Sequence, residues 1–430
     1  MILKESIAEM GAYRRIRKKV KKCLIDLSKK NSAVRMFFRS IRYIKNRCRY
    51  LLYHLSHIND KKIIFESFMG RKYSDNPRAV YEYMLRNERF KDFDFVWAFK
   101  DMDKHKEFDI LDNSRTQIVK YGSRDYYKAY GTSKYWVSNS RIPEAIYKKE
   151  NQVYLQCWHG TPLKKLGYDI EVEGKNALNS NKDIRKKYKA DAKRYSYMTS
   201  SSGFCTEKFI SAFNLKAWGK ENIVIEEGFP RNDILSNYRQ EDVGNIKEKL
   251  GIAEDKKVIL YAPTWRDNQH DSSKGYVYKN KLDFDVMQRE ISESYVVLFR
   301  AHYFVANNFD FEKYCGFVYD VSSYEDINDL YIVSDLLVTD YSSVFFDYAV
   351  LRKPIIFFMY DLDEYAEEIR GFYLSLDELP GNICTNEEQL LDEIKHNGSI
   401  IHHRYDDFNK KYNYLDDGQA TKRVVEKVFL

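Results

Sequence analysis

The chain has few of the residues that mark disulfide scaffolds, flexible linkers and membrane spans. Its 430 residues include only six cysteines and seven prolines. Because the cysteines are scattered and form no C-x-x-C pair, neither a disulfide framework nor a cysteine zinc site is indicated, which fits a reducing cytosol. No apolar run approaches the roughly 20 residues needed to cross a bilayer, and no signal peptide is visible. The sequence therefore predicts a cytosolic protein without a membrane span.

Several catalytic signatures are missing as well. The sequence has no glycine-rich P-loop, no G-x-G-x-x-G, no H-E-x-x-H and no G-x-S-x-G. The usual nucleotide-kinase, dinucleotide, zinc-hydrolase and serine-hydrolase chemistries therefore lack support. Group transfer from a phosphate-bearing donor stays open, and we expect no cofactor and no protein-bound metal.

Positive charge is concentrated at the amino terminus. Residues 1–57 hold 16 Lys and Arg against three acidic residues, a net charge of +13, whereas the rest of the chain carries 55 basic and 61 acidic residues, a net charge of −6. Within this arm apolar residues such as Val34, Phe37, Ile41 and Leu52 recur at helical spacing between basic ones. A basic amphipathic helix of this kind suits an anionic membrane surface. The alternatives are packing on the protein and nucleic-acid binding; we favour the membrane and expect no nucleic acid.

From Lys62 onward, short β-branched runs that end in polar or glycine-bearing loops alternate with helical stretches. With 44% hydrophobic and 16% aromatic residues, the chain can bury more than one core. The rhythm predicts an α/β fold with two doubly wound, Rossmann-like parallel sheets facing a cleft. We place a basic helical arm at 1–57, an amino-terminal domain at 58–232, a carboxyl-terminal domain at 233–400 and a helical tail at 401–430.

The stretch from Val333 to Asp361 predicts a strand, a helix and a second strand. Ser342 and Ser343 stand where the helix should begin, shortly after a buried strand that ends at Asp340. A helix start at a sheet edge offers backbone N–H groups and a positive dipole end, which suit phosphate. An ordinary helix cap is the simpler interpretation.

Other polar residues follow presumed strands of the second half, among them Arg266, Arg300 and His302. Because parallel strands bring their carboxyl ends to one sheet edge, these side chains should lie together with Asp340. Arginine suits a pyrophosphate, since its planar fork makes paired bonds to phosphate oxygens.

In the first half, His159 directly follows the strand-like run V-Y-L-Q-C-W. Gly160 would let a ligand approach the backbone, Thr161 could cap a following helix that starts with Pro162, and Lys164 adds a charge that an anion would neutralise. A structural histidine is the alternative for His159. Because we expect an anion-binding sheet edge to face His159, we interpret this histidine as functional.

Five motifs occur in order along the chain: W-H-G-T-P-L-K-K-L-G, G-F-P-R-N-D, Y-A-P-T-W-R-D, R-A-H and T-D-Y-S-S-V-F-F-D-Y-A. They follow E-S-F-M-G-R-K-Y-S-D-N-P-R-A-V-Y-E-Y-M at residues 66–84. Together, over residues 62–400, they resemble the CDP-glycerol glycerophosphotransferases, primases or polymerases that build teichoic acids on the inner face of Gram-positive membranes. The resemblance implies a GT-B fold with the acceptor on the first domain and the CDP-alditol on the second.

The same resemblance implies roles for individual residues. His159 would be the catalytic base, and His302 would be essential beside the donor phosphates. With the strand-end residues included, the expected donor-binding set is Thr264, Arg266, Arg300, Asp340, Ser342, Ser343 and Asp347. The expected acceptor or anion-binding residues are Gly160, Thr161 and Lys164.

The implied reaction transfers glycerol phosphate from CDP-glycerol to a hydroxyl of a lipid-linked saccharide or polyol-phosphate acceptor and releases CMP. CDP-ribitol is the close alternative as donor. A nucleotide-sugar glycosyltransferase on the same fold and a non-enzymatic adaptor are further alternatives. The enzyme would act as a peripheral protein on the cytoplasmic face of the cell membrane.

Overall fold

The protein is built on two parallel β-sheets. The computed structural model describes residues 32–171, 180–264, 270–271, 275–276, 282–301, 310–362, 371–396 and 402–430. The strands of the first sheet are β1 (Asn59–Glu66), β2 (Asp94–Phe99), β3 (Thr116–Lys120), β4 (Ser133–Ser138), β5 (Val153–Gln156), β6 (Tyr197–Ser200) and β7 (Val224–Glu226). They pair in the order β3-β2-β1-β4-β5-β6-β7, with every neighbouring pair parallel.

The second sheet follows the first in the chain and is also built of parallel strands. Its strands are β8 (Lys257–Ala262), β11 (Tyr295–Phe299), β12 (Val318–Asp320), β13 (Leu336–Thr339), β14 (Ile355–Phe358) and β15 (Asn382–Cys384). The order is β12-β11-β8-β13-β14-β15, again all parallel. A short antiparallel pair, β9 (His270–Asp271) and β10 (Gly275–Tyr276), lies between β8 and β11 in the chain.

Helices alternate with the strands, as the right-handed crossover between parallel strands requires. Before and within the first sheet they are α1 (Ser32–His54), α2 (Asp75–Arg86), α3 (Arg124–Thr132), α4 (Asn181–Arg194) and α5 (Gly203–Ala212). Those that follow are α6 (Asp233–Asn237), α7 (Gln240–Leu250), α8 (Phe284–Ile291), α9 (Ile327–Val333), α10 (Val344–Tyr348), α11 (Glu387–Lys395), α12 (His402–Tyr412) and α13 (Ala420–Phe429). No described helix is both long and apolar enough to cross a bilayer.

Both faces of each sheet are buried, which explains the continuous apolar runs of the strands. In β1, Ile64 belongs to the core on one face and Ile63 and Phe65 to the core on the other. The second sheet divides in the same way, with Leu260 on one face and Ile259 on the other. The predicted α/β architecture with two doubly wound parallel sheets is confirmed.

Each sheet has one point where its winding reverses. In the first sheet this point lies between β1 and β4, and in the second it lies between β8 and β13. Ligands of doubly wound sheets bind in the crevice at the carboxyl ends of the strands beside such a point. The loops that follow Glu66, Ser138, Ala262 and Thr339 are therefore where chemistry is expected.

Three local predictions need correction or qualification. No helix follows Thr161 and Pro162: residues 161–166 have no helical turn, Lys164 lies in an isolated β-bridge, and the next element is a single 3-10 turn at Gly167–Asp169. The helix after Ser343 has only five residues before a 3-10 turn. The predicted tail does not stand apart, because Val424, Val425, Val428 and Phe429 of α13 belong to the core of the first sheet. The domain boundaries stay a prediction.

The basic arm is described from residue 32 onward, and residues 1–31 lie outside the described part. The carboxyl-terminal half of α1 packs on the first domain: the hydroxyl of buried Tyr50 donates to the carbonyl of Tyr147 at 2.5 Å. A Cβ atom on Gly131 of α3 would lie 2.7 Å from the carbonyl oxygen of Tyr53, so only glycine allows this crossing. The arm is thus fixed to the body at one end.

Candidate active site

His159 stands at the carboxyl end of β5, where solvent reaches its ring. Its Nδ1 lies 3.1 Å from the carbonyl oxygen of Asn139. Because a carbonyl can only accept, this contact assigns the hydrogen to Nδ1 and leaves Nε2 as the nitrogen that can take a proton. The ring stacks on Trp158 with 4.8 Å between centroids, and desolvation by the surrounding protein lowers the pKa of His159. The geometry is that of a neutral imidazole base.

The backbone around His159 is held in uncommon conformations. Trp158 has φ 53°, a value rarely adopted by a bulky residue, and Gly160 has φ 149°. A Cβ atom on Gly160 would lie 3.5 Å from Nη2 of Arg231 and 3.6 Å from Oγ of Ser343. The structure therefore brings two predicted site residues together, since Gly160 from the first half, directly after His159, lies beside Ser343 from the second.

Arg231 links the two sheets immediately behind Gly160. Its Nη1 lies 3.0 Å from Oδ2 of Asp75 on α2, and its Nη2 lies 2.7 Å from Oδ2 of Asp347 on α10. Its backbone carbonyl accepts a hydrogen bond from Asn328 of α9 at 2.5 Å. All of these side chains are buried, so the ion pairs are shielded from solvent. Asp347, expected near the donor, is thus engaged in the seam between the sheets.

The network extends to Asp416 in the loop before α13. Nδ2 of Asn232 donates to Oδ1 of Asp347 at 2.9 Å and to Oδ2 of Asp416 at 3.2 Å. Burial, and then the charge of Asp347, raise the pKa of Asp416 to about 8. Asp416 therefore holds a proton more readily than an ordinary carboxyl, which reduces the negative charge buried in the seam.

Sequence reasoning missed this seam as part of the site. The missed residues are Asp75, Arg231, Asn232 and Asp416. The motif G-F-P-R-N-D was in view, but it was interpreted as a boundary between domains. This motif places an arginine, an asparagine and an aspartate side by side at a domain boundary. Such a run indicates a polar hinge, because these groups must be paired when two domains bury them.

Of the expected donor residues, Thr264, Asp340 and Arg300 follow strands β8, β13 and β11 of the second sheet. The backbone N–H of Thr264 donates to Oδ1 of buried Asp340 at 2.7 Å, which ties the ends of β8 and β13 together. Nη1 of Arg300, after β11, donates to the carbonyls of Val321 at 3.0 Å and Tyr324 at 3.2 Å. Burial lowers the pKa of Arg300. This guanidinium is therefore fixed in place by the loop after β12.

Ser342 and Ser343 are half-buried at the start of α10. The side chain of Ser343 makes no capping hydrogen bond, so the predicted cap is not formed. Because α10 is so short, its dipole contributes little, and any anion there would depend on hydroxyl and backbone groups. Arg266 and His302 lie outside the described residues.

The expected anion residues after His159 contact both halves of the chain. Oγ1 of Thr161 lies 3.1 Å from Oγ of Ser201. Lys164 pairs with Phe372 in an antiparallel bridge, and the N–H of Tyr373 donates to the carbonyl of Leu163 at 2.8 Å. Thr161 is therefore built into the first domain, whereas the backbone at Lys164 is joined to a segment of the second half.

The switch point of the first sheet contributes residues that sequence reasoning did not single out. Phe68, Met69 and Gly70 all have positive φ values, of 47°, 58° and 73°. The N–H of Phe68 donates to Oδ1 of Asn139 at 2.8 Å, and that of Met69 to Oγ of Ser140 at 2.9 Å. Asn139 thus fixes both this loop and the ring of His159. Such strained backbone is typical of functional sites.

The described residues contain no group of three or more His, Cys, Asp and Glu side chains placed to share a metal ion. What they do contain is two parallel sheets that approach each other at Gly160 and Ser343, with His159 on the first side and the switch point of the second sheet on the other. This arrangement defines a two-domain transferase scaffold of the GT-B-like class.

Comparison with known proteins gives the family. The profile of the CDP-Glycerol:Poly(glycerophosphate) glycerophosphotransferases matches residues 48–430. The chain belongs to this family. It is 38% identical over 407 residues to the teichoic acid poly(glycerol phosphate) polymerase of Staphylococcus epidermidis, covering 91% of this chain and 55% of that one. It is 39% identical over 404 residues to the teichoic acid glycerol-phosphate transferase of Staphylococcus aureus, covering 90% of this chain and all of that one.

Solved structures agree. A variant of the wall teichoic acid polymerase TagF with one histidine replaced by asparagine, soaked with CDPG, superposes with a TM-score of 0.81 at 37% identity, covering 92% of this chain and 97% of that one. A teichoic acid poly(ribitol-phosphate) polymerase of Bacillus spizizenii is more distant, at 32% identity over 396 residues, covering 88% of this chain and 58% of that one. The predicted family, GT-B-like fold and transferase class are confirmed. The chain spans about half the length of the S. epidermidis polymerase.

Proposed function

We propose that this chain transfers glycerol phosphate from CDP-glycerol to a hydroxyl of a lipid-linked polyol-phosphate or saccharide acceptor and releases CMP. The observation that carries the proposal is the meeting of Gly160, the residue after His159, with Ser343 of the second half, in a chain whose fold superposes on TagF soaked with CDPG. A base on one sheet then faces the phosphate-binding edge of the other.

In this reaction His159 acts on the acceptor. Its Nε2 removes the proton of the attacking hydroxyl, and the hydrogen bond from Nδ1 to Asn139 holds the ring in the tautomer required. The hydroxyl oxygen forms a bond to the β-phosphorus of the donor as the bond between that phosphorus and the bridging oxygen breaks. CMP leaves with the electron pair of that bond.

The donor is assigned to the second sheet. The switch point formed by Thr264 and Asp340 supplies the crevice, and Arg300 and Ser343 lie on the elements around it. Arg266 and His302 would add charge to the phosphates, as the family resemblance implies. The catalytic contribution of such residues is to hold and stabilise charge on transferring phosphate oxygens.

Glycerol is favoured over ribitol as the alditol, because the S. epidermidis glycerol phosphate polymerase and the S. aureus glycerol-phosphate transferase are 38% and 39% identical to this chain, whereas the B. spizizenii ribitol phosphate polymerase is 32% identical. The test incubates the purified chain with CDP-glycerol or CDP-ribitol and a short-chain lipid acceptor, and measures CMP release. We expect release with CDP-glycerol that is lost in His159→Asn and kept in His396→Asn, a control at an exposed histidine after α11. Failure of both donors to release CMP would overturn the proposal.

We also propose that α1 holds the enzyme on the cytoplasmic face of an anionic membrane. Most apolar residues of its predicted stripe are exposed in the structure, with Phe37 61% and Leu52 73% accessible, and Arg39, Arg42 and Lys45 are exposed as well. An aromatic and apolar face flanked by arginines suits lipid headgroups. Packing of this stripe on the described part of the protein is thereby disfavoured.

The membrane proposal is tested by sedimentation with vesicles that contain phosphatidylglycerol. We expect Phe37→Ser combined with Ile44→Ser to reduce vesicle binding several-fold without changing CMP release from a short-chain acceptor. Ile383→Ser, at an exposed apolar residue on β15, serves as the matched control and should bind as the unmodified chain does. Equal binding of all three proteins would contradict the proposal.

A further inference from the structure

The loop between β12 and α9, residues 321–326, holds the guanidinium of Arg300, and we call it the arginine loop. Nη1 of Arg300 donates to the carbonyl of Tyr324 in this loop at 3.2 Å. The N–H of Ala301, the next residue along the chain, donates to Oγ of Ser322 in the same loop at 3.0 Å. Because these bonds join both residues to the arginine loop, the position of the Arg300 guanidinium depends on the position of that loop.

Lys72 of the first half binds the same loop. It lies in the loop after β1, and its Nζ is 2.6 Å from the carbonyl oxygen of Tyr324 and 3.0 Å from that of Glu325. The Tyr324 carbonyl therefore accepts from an ammonium of one half and from a guanidinium of the other. Desolvation, and then the charge of Arg300, lower the pKa of Lys72 to about 8, which agrees with the closeness of the two groups.

Other groups of the first half contact the arginine loop as well. Nζ of Lys104, which follows β2, lies 2.6 Å from Oε2 of Glu325, and the N–H of Tyr73 donates to Oε1 of the same carboxylate. Nη1 of Arg78 on α2 lies 3.3 Å from Oδ2 of buried Asp326. The loop that holds the donor-side guanidinium is therefore fixed by side chains of the first half.

The loop after β1 also contacts the residue that holds the proposed base. The N–H of Phe68, four residues before Lys72, donates to Oδ1 of Asn139 at 2.8 Å. The carbonyl oxygen of Asn139 in turn lies 3.1 Å from Nδ1 of His159. One loop of the first half therefore contacts both the support of the base and the arginine loop, so it relates the two sides of the proposed site.

Among these contacts, that of Lys72 acts on Arg300 most directly. Lys104 and Arg78 bind side-chain carboxylates of the arginine loop, whereas Lys72 binds the same backbone oxygen as Arg300. A hydrogen bond from an ammonium to a carbonyl is charge-assisted and stronger than a neutral one. Loss of the ammonium would release this backbone from the first half, and Arg300 would lose its fixed position.

We propose that Lys72 is a positioning residue that places Arg300 for the donor diphosphate. The inference rests on the proposed function and deepens it, because a residue of the first domain would then set the affinity for a donor that binds to the second. Lys72 acts through the carbonyl of Tyr324 and needs no contact with the donor itself. A guanidinium stabilises phosphate charge best when it is held in place before the donor binds.

The experiment measures the Kd of CDP-glycerol by calorimetry, and the KM of CDP-glycerol and of a short-chain lipid acceptor from CMP release. The variants of the full chain are Lys72→Met, Lys72→Arg, Arg300→Gln and the double variant Lys72→Met with Arg300→Gln. Methionine removes the ammonium and keeps most of the side-chain length. Lys72→Gln, which keeps one N–H donor, replaces Lys72→Met if urea unfolding shows that the methionine variant does not fold.

Lys353→Met is the matched control. Nζ of Lys353 also donates to two carbonyls, those of Ile332 and Ser334, at 2.7 Å each. Burial lowers its pKa to about 8, as in Lys72. These contacts lie within the second half, before the amino end of β13 and so at the sheet edge opposite to the proposed site. The control therefore removes an equivalent buried lysine without touching the arginine loop.

We expect Lys72→Met to raise the Kd of CDP-glycerol by roughly tenfold or more, the size of one lost charged hydrogen bond. The KM of the acceptor should stay within twofold, and Lys72→Arg should recover part of the loss. Lys353→Met should lower the free energy of unfolding but leave the Kd of CDP-glycerol unchanged. Added to Arg300→Gln, Lys72→Met should change the Kd less than twofold, because the two residues act as one unit.

Two results would overturn the inference. One is a Kd of CDP-glycerol in Lys72→Met within twofold of the unmodified value. The other is an undiminished effect of Lys72→Met in the Arg300→Gln background, which would show that Lys72 acts independently of Arg300. If the unmodified chain neither binds CDP-glycerol nor releases CMP, the proposed function fails instead. Hydrogen exchange then decides the positioning role, which is wrong if the arginine loop exchanges no faster in Lys72→Met than in Lys353→Met.

Discussion

Replacing Arg231 by methionine should strongly destabilise the seam between the two sheets. The guanidinium is 6% exposed and pairs with Asp75 and Asp347, which are also buried. Methionine keeps most of the volume but leaves two buried carboxylates without a counter-charge. Removing one partner of a buried ion pair costs about 3–5 kcal/mol, so we expect the free energy of unfolding to fall by that amount.

The assay is urea unfolding followed by circular dichroism, with two comparison variants. Arg231→Met combined with Asp347→Asn removes one orphaned charge and should be more stable than Arg231→Met alone, because the two substitutions share one contact. Arg352→Met breaks an exposed pair with Asp406 and should cost about 0–1 kcal/mol. Because Arg231 also touches the Gly160 loop, the folded fraction of Arg231→Met should turn over more slowly.

The reasoning is refuted if Arg231→Met loses no more free energy than Arg352→Met. It is also refuted if the double variant is no more stable than the single one, since the cost would then not come from the uncompensated carboxylates.

Three further predictions concern the site. His159→Asn should lower kcat by about 10²- to 10⁴-fold with little change in the KM for CDP-glycerol. The rate of the unmodified enzyme should fall as pH drops through the depressed pKa of His159, because the imidazole must be neutral to accept a proton. Gly160→Ala should lower kcat by roughly tenfold or more, since φ 149° is strained for alanine. Glu66→Gln should flatten the pH dependence of stability. In the unmodified protein, burial raises the pKa of Glu66 from 4.5 to about 7, so the folded state loses about 3 kcal/mol of stability as pH rises through that window.

Each of these predictions has its own control. For His159 the pH profile of His396→Asn should match that of the unmodified enzyme. For Gly160, Gly244→Ala is suitable, because a Cβ atom there meets nothing within 4 Å; equal rates for the two alanine variants would count against strain at Gly160. For Glu66, an unfolding free energy with the same slope between pH 4.5 and 7 in both proteins would show that this carboxyl does not titrate there.

The sheets could be predicted from the sequence because parallel strands buried on both faces leave a continuous apolar run. The apolar runs around Ile63 and Leu337 were sufficient to predict these strands. The ends of the runs also predicted which residues lie at the edge of the sheet. The helix after Thr161 was wrong for the complementary reason. Its capping pattern is local, whereas the backbone there pairs with Phe372, which is more than two hundred residues away and leaves no local trace.

The seam was harder to predict than the cleft. Nothing in the positions of Asp75, Arg231 and Asp347 relates them along the chain, and an isolated arginine in a loop is usually exposed. Their pairing exists only because two sheets dock. The same holds for Phe68 and Met69, whose left-handed backbone is imposed by the side chains of Asn139 and Ser140 from another strand.

The return of α13 to the first sheet has a mechanical consequence. The polypeptide passes between the lobes twice, once near Asp233 and once before Ala420. Hydrogen bonds join the two passages, because the Asp233 carboxylate accepts the N–H groups of Ala420 and Thr421 at 2.8 Å each. A single connecting segment would let one lobe rotate in any direction relative to the other, whereas two adjacent segments restrict that rotation. The double connection therefore limits how far one lobe can rotate relative to the other, and the separation between His159 on the first sheet and Asp340 on the second varies less than a single connection would allow.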